Sequence, residues 1–101
     1  MEGMEMISFQ IISAVGTAKS MCMEAIAEAK KGNFEKADSL IEESKAMFLE
    51  AHKSHASLIQ KEASGEKIEF SLLLMHAEDQ LMTTEMLKLM AIEIIDLHRI
   101  K

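Results

Sequence analysis

Apolar residues recur at helical spacing along almost the whole of this chain, and only two short stretches, around Gly32 and at Ser64-Gly65, break the pattern. In the first segment Met4, Ile7, Ile11, Val15, Ala18, Cys22, Ala25 and Ala29 follow one another three or four residues apart, which places them on one face of a helix. Lys30, Lys31 and Gly32 then supply a basic last turn and a stop. Asn33 is a candidate N-cap with Glu35 in the turn behind it, and Phe34, Ala37, Ile41, Ser44, Phe48, Ala51, His55 and Leu58 line a second helix. Beyond Ser64-Gly65, Glu66 and Glu69 favour the start of a third. The spacing predicts helices over about residues 4–31, 34–63 and 67–99, each about 40 to 50 Å long at the standard rise.

Composition agrees with this reading. No proline interrupts the chain, there are four glycines and no Asn-Gly or Asp-Gly turn, and β-branched residues are little clustered, so a sheet has no support. Hydrophobic residues make up 49% of the chain with four aromatics and ten methionines among them, which predicts an aliphatic interior between helices. A chain of 101 residues forms one domain, residues 1–101, and short connections between long helices make it an all-α, antiparallel three-helix bundle.

The formal net charge of −6, with no Trp or Tyr and no basic stripe, excludes a nucleic-acid partner. No apolar run reaches the roughly 18 to 20 residues of a membrane span. Glu2 and Glu5 stand where a signal peptide carries basic residues, so a cytoplasmic location is expected. Cys22 is the single cysteine, which rules out an internal disulfide and reads as a small core residue. His52 and His55, three residues apart, have no second ligand pair for zinc and read as surface or helix-end positions; His98, beside Arg99, suits a helix C-terminus.

The third segment carries the chemistry. Ile68, Leu72, Met75, Asp79, Met82, Met86 and Leu89 form one seam, and Leu73, His76, Gln80, Thr83, Leu87, Met90 and Ile94 form the next. Only Ser71, Glu78 and Glu85 make a polar line, expected to face outward, so Asp79 is expected to be buried with His76 beside it. Two apolar faces on one helix leave one uncovered in a three-helix monomer, and self-association is the simplest cover. Were the Asp79 seam to pack on symmetry mates, each pair of carboxylates about 4 Å apart would repel by about 4 kcal/mol at an effective dielectric near 20. Three such pairs require a cation or retained protons, and a hard divalent ion such as Mg²⁺ suits an all-oxygen site. The alternative is an Asp79 that pairs with a lysine or reaches an edge of the bundle. A histidine in such surroundings is more often a satisfied buried or interfacial residue than a reacting one, yet a neutral imidazole with a pKa near 6.5 is a competent nucleophile for phosphoryl transfer.

At LLLMHAEDQLMT, residues 72–83, and at IISAVGTAKSMCMEAIAEAKKGNFEKADSLIEES, the chain resembles the IIA component of the lactose/cellobiose family of the bacterial phosphoenolpyruvate-dependent sugar phosphotransferase system. The resemblance covers essentially the whole chain. It implies a phosphotransferase component in which His76 is phosphorylated on its tele nitrogen by the histidine phosphocarrier protein and passes the group to a cysteine of the IIB component. It also implies a homotrimer with Asp79 of three subunits around a divalent cation, Mg²⁺ being the expectation from the donor set, and no organic cofactor. The membrane IIC component is then an indirect partner only. Many relatives read His-Ala-Gln-Asp-His where this chain has His76-Ala77-Glu78-Asp79-Gln80; Gln80 replaces the second histidine and can still donate a hydrogen bond, and Glu78 adds a charge. The sugar stays open among cellobiose, chitobiose, lactose and related β-linked disaccharides, because a separate membrane component binds it. The competing reading is a noncatalytic, tetratricopeptide-like helical adaptor, suggested by the rhythm of GNFEKADSLIEESKAMFLEAHK but lacking a 34-residue repeat.

Overall fold

Three helices, α1 (Gly3–Lys30), α2 (Phe34–Ala63) and α3 (Leu72–Arg99), account for most of the computed structural model, which describes residues 3–101. Glu2, part of the acidic start, lies outside the described residues. No strand occurs among them. Both connections begin with the same device. Asn33 N–H donates to the Glu28 carbonyl and Gly32 N–H to that of Ala29, while Glu66 N–H donates to Lys61 and Gly65 N–H to Glu62. These paired bonds close the last turns of α1 and α2, and they require a left-handed residue that Gly32 (φ 85°) and Gly65 (φ 96°) supply. The Asn33 side chain does not cap α2. Its amide donates instead to Glu28 Oε1 at 2.9 Å, tying the turn back to α1.

The third helix starts later than expected. Residues 66–71 are non-helical, and α3 begins at Leu72 because the Ser71 hydroxyl accepts from Leu74 N–H at 3.1 Å. A serine cap in front of an apolar run outweighs the mild preference of Glu66 and Glu69 for a first turn.

The core divides into two adjoining clusters. At one end Cys22, Ala25 and Ala29 of α1 meet Ala37, Leu40 and Ile41 of α2 and Ala91 and Ile95 of α3. At the other, Ile11, Val15 and Ala18 meet Phe48 and Ala51 and, from α3, Ala77 and Leu81. These pairings run α2 antiparallel to both its neighbours. Small residues at the crossings let α1 approach both other helices, whereas α2 and α3 touch each other sparingly. Polar clamps span that gap: Arg99 reaches Asp38 at 2.6 Å, Lys88 lies 5.1 Å from the centre of the Phe48 ring, and Glu85 and Glu78 meet His52 and His55. None of the helices is long and apolar enough to cross a membrane.

Candidate functional site

Ser71 sets where α3 begins, and the helix carries the LLLMHAEDQLM stretch from its first turn. The buried line is Leu74, Ala77, Leu81, Thr84, Ala91 and Ile95. The seam expected to be covered is the opposite one. Leu72, Met75, Met82, Met86 and Leu89 are more than half exposed, and Asp79 lies exposed among them. Within one subunit Asp79 is therefore not buried, because the core takes the Leu74–Ala77–Leu81 line instead and leaves this strip on the outside of the bundle.

His76 lies on the flank between core and strip. It is exposed, in a shallow depression with Leu72 and Leu73, while its helical neighbours Leu73, Gln80, Leu87 and Ile94 are half-buried. The hydrogen bonds and ion pairs of this stretch belong to Ser71, Glu78, Thr83 and Glu85, and none joins His76 to Asp79 or Gln80. Thr83 donates to the Asp79 backbone carbonyl at 2.9 Å and leaves the carboxylate free. The imidazole is thus open to solvent on the outside of the bundle.

The expected outward polar line points elsewhere. Glu78 and Glu85 face α2, where His55 Nδ1 lies 2.8 Å from Oε1 and 2.6 Å from Oε2 of Glu78, and His52 Nε2 lies 2.7 Å from Glu85 Oε1. Only the Oε1 contact to His55 has hydrogen-bond direction; Oε2 of Glu78 is buried with no other donor. His52 and His55 are thus interhelical partners rather than plain surface residues. Opposed pairs of histidine and glutamate on antiparallel segments were the sequence sign of this arrangement. A groove of about 430 Å³ opens beside the His55–Glu78 pair, walled by Ile59, Ile68, Phe70, Met75 and Met82.

Other candidates are structural. Cys22 is fully buried, and burial pushes its thiol above the ordinary range. His98 and Arg99 occupy the last turn of α3. Among the described residues of one subunit, no three His, Cys, Asp or Glu side chains gather closely enough to hold a metal ion.

Comparison with known proteins bears on the whole chain. The family model for the lactose/cellobiose-specific IIA subunit of the phosphotransferase system matches residues 6–99. The lichenan-specific phosphotransferase enzyme IIA component of Bacillus subtilis is 46% identical over 97 residues, covering 96% of this chain and 88% of that protein. The crystal structure of the cellobiose-specific enzyme IIA from Bacillus anthracis superposes with a TM-score of 0.95 at 44% identity, covering 98% of this chain and 91% of that one. A IIA(chitobiose) chain solved in complex with HPr, from Escherichia coli, gives a TM-score of 0.78 at 30% identity, covering 98% and 96%. These matches decide against the helical-adaptor reading, and the chain belongs to the lactose/cellobiose-specific IIA family, the phosphotransferase components of the sugar phosphotransferase system.

Proposed function

We propose that His76 is the phosphoryl carrier of this subunit, taking the group from the histidine phosphocarrier protein and delivering it to a cysteine of the IIB component during uptake of a β-linked disaccharide. The observation that carries this is the exposed imidazole on an open flank of α3, bordered by Leu72 and Leu73 and without a side-chain partner among the described residues. The complex of the IIA(chitobiose) relative with HPr supports the same donor here. In the first step the tele nitrogen of His76 attacks the phosphorus of the carrier's phosphohistidine, an N–P bond forms and the carrier's N–P bond breaks. In the second a IIB thiolate attacks that phosphorus, and His76 leaves as the neutral imidazole. Gln80, half-buried one turn on, is the side-chain donor placed to meet phosphoryl oxygens. The protein acts in the cytoplasm on this reading, with the membrane IIC component reached only through IIB.

The same reading makes the working unit a homotrimer. The exposed Leu72–Leu89 strip supplies the apolar surface, and Asp79 stands in the middle of it. One carboxylate per subunit fits a shared site of hard oxygen donors, for which Mg²⁺ is the expected ion. When bound, the cation offsets the mutual repulsion of the three Asp79 side chains.

Incubation with phosphoenolpyruvate and the general phosphotransfer proteins tests the assignment. The wild-type chain should acquire acid-labile phosphate, and His76→Ala should acquire none while keeping its helicity. His52, His55 and His98 variants should still be labelled. Normal labelling of His76→Ala would overturn the assignment.

A further inference from the structure

We infer that Glu78, held by His55, is a positioning residue that fixes the rotation of α3 about its axis and so aims His76; the inference rests on the relay reading above. At 100° per residue, Glu78 lies roughly 200° around the helix from His76, on the flank that faces α2. The two side chains therefore sit at opposite ends of one lever. Turning α3 by about 10° moves a group at a side-chain radius of 5 to 6 Å by about 1 Å.

In this half of the helix Leu74 and Leu81 pack into the core, and the Glu78–His55 pair adds a polar tie to α2. Beside those leucines the buried face offers only Ala77 and Thr84, a low relief that grips neighbours weakly in rotation. An apolar groove opens beside Glu78, between Met75 and Met82 of α3 and Ile59 of α2, so side-chain packing between the two helices is incomplete there. The pair itself is well enclosed for one that crosses between helices. Side-chain exposure is 32% for His55 and 28% for Glu78, against 46% and 36% for His52 and Glu85, so solvent competes less with the upper clamp than with the lower. Both carboxylate oxygens of Glu78 lie within 2.8 Å of His55 Nδ1, and the buried Oε2 has no second donor. Removing His55 would take away the donor to Oε1 as well, leaving the carboxylate without a hydrogen bond across the gap, which gives the pair its hold on the phase of the helix.

The test measures phosphoryl transfer from the histidine phosphocarrier protein to the full chain as a function of carrier concentration, for Glu78→Ala, Glu78→Gln, His55→Gln and the double variant His55→Gln/Glu78→Gln. A displacement of about 1 Å at a reacting group can cost up to about a hundredfold in rate. Glu78→Ala should therefore lower the maximal rate by about tenfold or more, with the half-saturating carrier concentration changed less than about twofold. The double variant, in which one amide can donate to the other, should recover most of the loss. Circular dichroism and sedimentation show whether each variant keeps its fold and assembly, and Glu78→Gln serves where Glu78→Ala does not fold. Maximal rates within about twofold of wild type in folded single variants would overturn the brace. So would a change confined to the half-saturating concentration, which would place Glu78 on the docking surface. A wild-type chain that takes no phosphate would overturn the relay reading itself, an outcome separate from normal wild-type labelling with unaffected variants.

Discussion

At the scale of single residues, histidines of one chain divide by surroundings. His76 is exposed and has no side-chain partner among the described residues, while His55 and His52 are engaged by glutamates, although all three are histidines on long helices. Cys22 shows the opposite extreme to His76. It is fully buried, and its thiol is held above the ordinary range by that burial, so little thiolate forms near neutral pH. An alkylating reagent at neutral pH should leave Cys22 unmodified in the folded protein, and labelling should follow the unfolding transition in denaturant. Fast modification without denaturant would place the thiol outside the core. His76 itself was legible from the apolar stretch around it, but its partners were not. Spacing put Asp79 within one turn of it, whereas the structure leaves the two unbonded because both side chains point away from the core at different angles.

At the scale of elements, helix ends decide more than helix interiors. Ser71 starts α3, and its hydroxyl is the only side-chain cap among the described helix N-termini. Ser71→Ala should destabilise the protein by about 1 kcal/mol in a denaturant titration, and His76 labelling should slow if fraying reaches its turn. Unchanged stability would show that the cap is dispensable. The α1–α2 turn has a different fastener. Glu28 accepts from the Asn33 amide at 2.9 Å and lies 3.7 and 3.8 Å from the ammonium groups of Lys31 and Lys36. The Asn33 bond, aided by the lysines and opposed in part by burial, holds the Glu28 carboxyl below the usual carboxylate range. A carboxylate depressed on folding contributes stability at pH values above its unfolded-state pKa, and that contribution disappears as pH falls through the lower folded value. Glu28→Gln should accordingly lower Tm at neutral pH, with the gap to wild type closing in acid. A gap that stays constant with pH would remove the charge from the explanation. The end of α1 was readable from Lys30, Lys31 and Gly32, since glycine after a basic turn has one common use. The start of α3 was misplaced because two glutamates looked like a first turn, and a hydroxyl bond to Leu74 outweighs them.

At the scale of the whole molecule, the bundle is a rod of 52 × 24 × 19 Å with 6536 Å² of accessible surface. A monomer of this mass exposes about 5,700 Å² by the usual scaling, so the subunit carries more open surface than its size calls for. Leu72, Met75, Met82, Met86 and Leu89, each more than half exposed, form the apolar outer strip of α3. On the proposed trimer, Asp79→Leu removes three like charges and completes an apolar strip. Sedimentation should then show a trimer that persists, or depends less on divalent ions, when a chelator is added. Wild type that stays monomeric in Mg²⁺, or a folded variant that loses its trimer, would count against the axial placement of Asp79. Periodicity by itself determined the number of helices, their order and the buried faces of α1 and α2. Those follow from local geometry, because a 3.6-residue repeat with glycine stops leaves little freedom. Only the tertiary structure decided which of the apolar faces of α3 enters the core, that Glu78 and Glu85 turn inward to His55 and His52, and that Asp79 is left outside. An evenly apolar helix fits its neighbours in more than one rotation. The choice among them depends on how Ala77, Leu81 and Ile95 pack against α1 and α2 and on which charges find partners across the gap, and neither is a property of spacing along the chain.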